Sequence, residues 1–436
     1  MRRKEEYGML WPGAVYDGEA ALKLYSDQLK ETAKNLEIDL NLRPSPIYSP
    51  EEADAWLAEA KAKNSDGLVV VVLDRQQHAW PTAKKAADTG IPTVIFSPLG
   101  TSFTTNTIGL AEQPGCIIYS TNDFRQAAFG MKMLKAGSRM QRTRCLVIAG
   151  NERYEKSLAD TGIKLQYIPA ETFLTEYRAM PVSVEIEAMA AEYIGQSKEM
   201  RFATRQDVIN GIKSYKVAGK LMETEKADAI SMDCLGALGK TTVSLPCIAW
   251  SRMNDDGIPA ACEADTGAVA AHIMVQYLFD RPGFQQDPVA DTSDDTIIGA
   301  HCSSPTRLNG FKNPPEPFDL IHHHGNRDAV PRTIWKKGQR ITCLDVLPGD
   351  EASEIPTKPK IEAQNQQTQL LISSGTVVDN LSVPPSGGCV VSVKYKMDGD
   401  QKVLTYPGFH QLFFYGDYKR ELENFCQLYK FSAQVI

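Results

Sequence analysis

Leu68-Val69-Val70-Val71-Val72-Leu73 is an unbroken apolar run rich in β-branched residues. Such a run suits a parallel strand buried on both faces. Working outward, a helix pattern over 80–89 follows, then Ile91-Pro92-Thr93-Val94-Ile95-Phe96, a second strand pattern. Upstream, Ser49-Pro50-Glu51-Glu52 has the chemistry of a helix start. Ser49 can cap, Pro50 fits the first position, and the acids favour the positive end of the helix dipole. Residues 38–42 form a brief strand pattern, and 19–36 carry apolar residues at helical spacing behind the turn pair Asp17-Gly18. The order β-α-β-α-β predicts an open, doubly wound α/β domain.

A second set of alternating signals starts near 140. Residues 144–149 and 165–168 read as strands, 183–198 and 205–224 as helices, and 227–232 as a strand that delivers Asp233 at its C-terminal end. Residues 247–250 fit a short helix or strand, and 268–278 have the content of a buried helix. After about 300 the texture changes to short alternating runs at 340–344, 369–373, 389–395, 402–406 and 411–415, closed by a helix over 419–429. That is the pattern of a barrel or sandwich. The expected fold is therefore two doubly wound α/β domains, 1–137 and 138–297, followed by a β-rich, barrel-like domain, 298–436. At roughly 150 residues per domain, a chain of 436 residues agrees with such a division.

Composition narrows the functional classes. The hydrophobic share of 42%, the charged share of 23% and a mean hydropathy of −0.29 describe a globular chain. The net charge is −7, from 47 basic and 54 acidic residues, which argues against nucleic acid as a partner. No apolar stretch is long enough to predict a membrane span. The cysteines are Cys116, Cys145, Cys234, Cys247, Cys262, Cys302, Cys343, Cys389 and Cys426, an odd number with no CxxC pair. They read as small packing residues of a reducing compartment. Arg2-Arg3 is not followed by an apolar signal core, so a cytoplasmic location is expected; an exported chain whose signal has been removed is the alternative.

No P-loop, GxSxG, HExxH or dinucleotide fingerprint occurs, so any chemistry must come from dispersed polar residues. In Cys262-Glu263-Ala264-Asp265-Thr266-Gly267 two carboxylates flank one small residue. If the segment is extended they point the same way, and their repulsion calls for a cation or a shared proton. The local sequence by itself favours a capped helix start, with Asp265 or Thr266 as the cap and Glu263 facing solvent. His301 and the run His322-His323-His324 can bind hydroxyls, or serve as a structural histidine and a polar loop. His410 stands after Pro407-Gly408 at the mouth of an apolar strand, where an imidazole needs a partner. Trp80, within Gln76-Gln77-His78-Ala79-Trp80-Pro81, can stack on a sugar or pack a helix start. Residues 350–368 read as an exposed loop whose role the sequence does not reveal.

Three motifs in order, PAACEADTGAVAAHI (259–273), HCSSP (301–305) and GFHQLFFYGDYKRELENF (408–425), resemble the L-fucose isomerase and L-arabinose isomerase superfamily, in its shorter fucose-isomerase-like members. The likeness covers about residues 225–436 by motif and the rest by layout. It implies two α/β domains and a barrel-like C-terminal domain, a homo-oligomer (trimer or hexamer), and aldose–ketose exchange with a divalent cation, usually Mn2+. It places metal ligands on Asp265 and His410. The family's other acid falls on Ala237; Asp233 is the nearest acid and is its stand-in as ligand and base, unless the site lacks that ligand. By the same resemblance Asp265 is also a candidate base, Glu263, His301 and His323 bind hydroxyls, and Trp80 stacks on the sugar from a neighbouring subunit. The expected function is a metal-dependent sugar isomerase working through an enediolate. A sugar-binding protein without turnover, and another enediolate reaction such as epimerisation or aldol cleavage, are the alternatives.

Overall fold

The computed structural model describes residues 10, 11, 14, 15, 17–75, 77–158, 160–323, 327–349, 367–381, 390–400 and 402–436. Gln76, His324, Cys389, the first nine residues and most of the 350–368 stretch lie outside them. The chain is mixed α/β, with parallel and mixed sheets and a closed six-strand antiparallel barrel. Its contacts form two compact units, 1–138 with 423–431, and 139–422 with 432–436.

In the first unit the apolar run becomes strand Leu68–Val71, which pairs in parallel with Thr93–Ser97, itself paired with Cys116–Ser120. Helix Pro50–Ala62 begins as its sequence dictates, with Ser49 Oγ accepting from the Glu52 N–H at 3.3 Å. Asp17-Gly18 turns out to be a cap rather than a free turn: Asp17 Oδ1 accepts from the Glu19 and Ala20 N–H groups of helix Gly18–Asn35. Residues 38–42 differ from expectation. Ile38, Leu40 and Leu42 alternate half-buried with exposed residues, as a strand would, but join no ladder. Asp39 and Asn41 disfavour sheet pairing, and Pro44 removes a donor just beyond. Trp80 is buried in helix Ala79–Ala87, its indole Nε1–H donating to the Thr101 carbonyl at 3.2 Å.

In the second unit a sheet runs in the order Ala260–Cys262, Ala229–Met232, Arg144–Ile148, Lys164–Ile168, Tyr154–Ser157. All its pairings are parallel except the last. Helix Thr266–Phe279 is buried along its whole length, consistent with its apolar, small-residue content. The barrel closes in the order Arg340–Leu347, Gln411–Tyr415, Phe284–Asp291, Thr296–His301, Val391–Met397, Gln369–Leu381 and back to Arg340–Leu347. It begins at Phe284, ahead of the texture change seen near 300. Phe284, Ile341, Val393, Tyr395, Phe413 and Tyr415 belong to one buried apolar cluster, with the Tyr395 and Phe413 rings 4.7 Å apart edge to face.

Two further expectations are corrected. Residues 402–406 are not a strand; Val403–Thr405 is a single 3-10 turn, because the chain must fold back before Gly408, whose φ is +97°. His322 and His323 are not loop residues; they end strand Phe318–His323, which pairs with Arg327–Thr333 across a bulge. No described helix is long and apolar enough to cross a membrane.

Candidate metal centre

Three barrel strands and one edge of the α/β sheet deliver the polar side chains. Strand Ala260–Cys262 lies beside Ala229–Met232 in parallel register, Met232 opposite Cys262. Directly after it, Glu263 (φ 62°) and Ala264 (φ 54°) both take left-handed backbone conformations. The segment is thus not extended, as the same-side argument for its two acids assumed. The left-handed region costs L-residues about 1–3 kcal/mol each and persists where the surroundings enforce it. Here they do: the Ala264 N–H donates to the Met232 carbonyl at 3.0 Å, and Asp265 then caps helix Thr266–Phe279, its Oδ1 accepting from the Ala268 N–H at 2.9 Å. The capping role expected of Asp265 is therefore present, and its second oxygen is used elsewhere.

That second oxygen meets His410. Asp265 Oδ2 is 3.0 Å from His410 Nδ1, and Glu263 Oε2 is 3.4 Å from Nε2 of the same ring. The two acids of one short turn therefore reach both nitrogens of one buried imidazole. His410 is itself left-handed (φ 56°), and its loop is clamped from within the barrel. Asp345 Oδ2 accepts from the Phe409 N–H at 3.1 Å, the Gln411 amide donates to the Pro407 carbonyl at 2.7 Å, and the Tyr406 hydroxyl donates to Gln411 Oε1 at 2.6 Å. Gly408 completes the clamp. A Cβ there would crowd the Gln411 amide and lie 2.8 Å from Asp345 Oδ2. Gly408→Ala is expected to cost about 1–3 kcal/mol in thermal denaturation and to weaken divalent-ion binding in titration, because it displaces the His410 loop. Unchanged stability and binding would contradict that account of the clamp.

His301 ends strand Thr296–His301, 3% exposed, with Nε2 3.8 Å from Glu263 Oε1 and its ring 5.8 Å from that of His410. Neither of its ring nitrogens has a hydrogen-bond partner among the described residues. Glu263, His301 and His410 offer donor atoms within 4.8 Å of one another and could hold a metal ion. Two imidazoles and a carboxylate suit borderline divalent cations such as manganese, iron, cobalt or zinc. The buried His301 nitrogens, without hydrogen-bond partners among the described residues, are free to serve as donors to such an ion.

The electrostatics agree. Burial opposes a charge on His410, but the bonds to Asp265 and Glu263 outweigh it and raise its pKa to about 10. Burial, reinforced by the neighbouring His410, lowers His301 to about 4. The bond from His410, against the opposing effect of burial, holds Glu263 below its ordinary value. A proton on His410 thus occupies the place of positive charge between carboxylates.

The other expected residues fall as follows. Asp233 stands at the C-terminal end of the neighbouring strand, but its Oδ1 caps helix Cys234–Leu238, accepting from the Gly236 N–H at 3.0 Å. It is not a member of the metal-competent group, and neither are Asp265 and Asp287. Ala237 lies within that same short helix. His323 is buried, near enough that a charge on it disfavours one on His301. Trp80 belongs to the first unit and its core. Cys262 is buried against Ser303 Oγ at 3.1 Å, and its thiol is raised by the bond with Cys234 and by burial, which disfavours the thiolate.

One residue escaped sequence reasoning. Asp287, on strand Phe284–Asp291, has Oδ1 3.3 Å from His410 Nε2. Its context, Gln285-Gln286-Asp287-Pro288, matches no motif; only barrel register reveals it. No family model and no curated protein matches the chain.

Proposed function

We propose that this protein is a metal-dependent aldose–ketose isomerase acting on a small sugar, of the kind its motifs resemble, with manganese as the cation and a homo-oligomeric, cytoplasmic enzyme as its setting. The observation that carries the reading is the His410 ring held by Glu263 and Asp265 beside the buried His301, whose ring nitrogens have no hydrogen-bond partner among the described residues.

Aldose–ketose exchange moves a proton from carbon 2 to carbon 1 and another from the carbon-2 oxygen to the carbon-1 oxygen. Glu263, His301 and His410 would hold the cation. A bound divalent cation supplies the positive charge that offsets the enediolate. Asp265 acts through His410: accepting from Nδ1–H, it fixes the ring so that Nε2 faces the site. Buried as it is, Asp265 positions rather than meets the sugar. Proton transfer needs a carboxylate open to substrate. Half-buried Asp233, beside the Glu263 turn in sheet register, is our candidate for it, through the oxygen not engaged in capping. His323, buried near His301, is the proposed partner of a sugar hydroxyl; Trp80, packed in the core of the first unit, is not available to stack on a sugar.

The test is a panel of pentoses, hexoses and deoxy-sugars incubated with manganese-loaded protein. A ketose from at least one member is expected. No ketose from any of them, while manganese is measurably bound, overturns the isomerase reading, and tight sugar binding without metal dependence then favours a binding protein.

A further inference from the structure

We infer that Asp287 is the second carboxylate ligand of the cation, in the role that the family pattern would give to the position of Ala237. The inference rests on the metal-centre reading above and adds a ligand to it.

Three observations carry it. First, Asp287 Oδ1 and Glu263 Oε2 lie 3.3 and 3.4 Å from the same atom, His410 Nε2, the nitrogen that Asp265 leaves facing the site. Donors bound to one ion at about 2.0–2.2 Å stand about 3–3.4 Å from one another, so each of the two carboxylates is spaced from His410 Nε2 as a co-ligand would be; Asp287 would join the Glu263, His301 and His410 group, to which it does not belong in the ion-free protein. Second, the barrel builds this placement. Gln286 pairs with Gln411 and Asp287 with Ala300, so the register sets Asp287 one residue from the pairs that lead to His410 and His301. Side chains alternate along a strand, and Gln285, two residues back, accepts from the Cys262 N–H at 2.9 Å. The face carrying Gln285 and Asp287 is therefore the one turned to the Glu263 turn. Third, and independently, His301 is 3% exposed with both ring nitrogens unpartnered among the described residues, and its Nε2 is aimed at Glu263 Oε1. A buried imidazole without a partner among the described residues is a candidate for binding a ligand.

The alternative acid is less suited. Asp233 has one oxygen committed to a helix cap. Asp287 and Glu263 together bring two negative charges to a doubly charged cation, with two imidazoles completing the set. Asp287 keeps 27% of its side chain exposed and Glu263 35%, so an ion held between them is open to solvent and to a sugar's oxygens on that side.

The test is calorimetric titration of Mn2+ into the full chain and into Asp287→Asn and Asp233→Asn. Asp287→Asn should weaken binding by about 10–100-fold or more, and Asp233→Asn by less than about threefold. Wild-type affinity in Asp287→Asn overturns the assignment while leaving the metal centre standing. Absence of Mn2+ binding to the wild type overturns both. Should Asp287→Asn fail to fold, anomalous diffraction from wild-type crystals soaked in Mn2+ decides: an ion with an Asp287 oxygen within about 2.0–2.5 Å supports the assignment, and an ion at His410 without that contact overturns it.

Discussion

His410→Gln is expected to abolish divalent-ion binding and, with it, sugar turnover. The ring lies within 3.4 Å of Asp265, Glu263 and Asp287 together, and it is presented by a left-handed residue at the end of a clamped loop. Losing an outer partner of a metal ligand alone costs about 10–100-fold in affinity, so losing the ligand should cost more. The same ring makes binding pH-dependent. Its pKa is raised to about 10, so the ion-free protein carries this proton at neutral pH and an entering cation must displace it. Affinity should therefore rise with pH below about 10, approaching tenfold per unit, with close to one proton released per ion. Calorimetry in buffers of different ionisation enthalpy measures that proton directly. The effect on stability has a definite sign. A histidine raised in the folded state contributes stability that is complete below its unfolded value of about 6.5 and is lost as pH climbs toward its folded value. Ion-free wild type should lose stability between neutral pH and pH 10, and His410→Gln should lack that component. Equal pH profiles for the two proteins would contradict the assignment of the charge.

Trp335→Ala is expected to produce the largest loss of stability, about 3–5 kcal/mol in urea denaturation. Trp335 is 1% exposed and belongs to the buried apolar cluster that includes Phe284, Phe413 and Tyr415. Its ring packs against Phe284 at 5.9 Å and edge-on to Tyr415 at 5.3 Å. Its backbone is fixed on both sides by Asn380, whose Oδ1 accepts from the Trp335 N–H at 2.7 Å and whose amide donates to the Trp335 carbonyl at 2.8 Å. Removing the indole leaves a cavity walled by rigid strands, which cannot collapse to fill it. A loss under about 1 kcal/mol would show that the barrel core is not organised around this residue.

The parts of the fold that could be read in advance are those where local chemistry and tertiary structure agree. The Leu68 run, the Ser49-Pro50 helix start and the buried helix after Asp265 carry their own signals. Strand Phe284–Asp291 does not, because Gln285, Gln286, Asp287 and Pro288 violate the usual strand composition and are accommodated only by barrel partners distant in sequence. For the same reason Asp287 was invisible, whereas Glu263, Asp265, His301 and His410 stood out as polar residues in apolar or small-residue settings. The strand expected at 402–406 is a 3-10 turn, and directly after it Asp345 and Gln411 hold Pro407 and Phe409 in a tight loop. Asp233 is the instructive opposite case. Its commitment as a cap follows from its place directly before the short helix Cys234–Leu238, whereas its charge alone suggests a ligand.

Proton transfer at carbon 2 of an aldose is the central chemical claim, and solvent exchange measures it most directly. Manganese-loaded protein is incubated with each aldose of the panel in deuterium oxide, and the carbon-2 proton is followed by NMR. The account predicts metal-dependent deuterium incorporation into at least one sugar, abolished by chelation and by His410→Gln. Manganese bound at the site with no exchange in any sugar would contradict it.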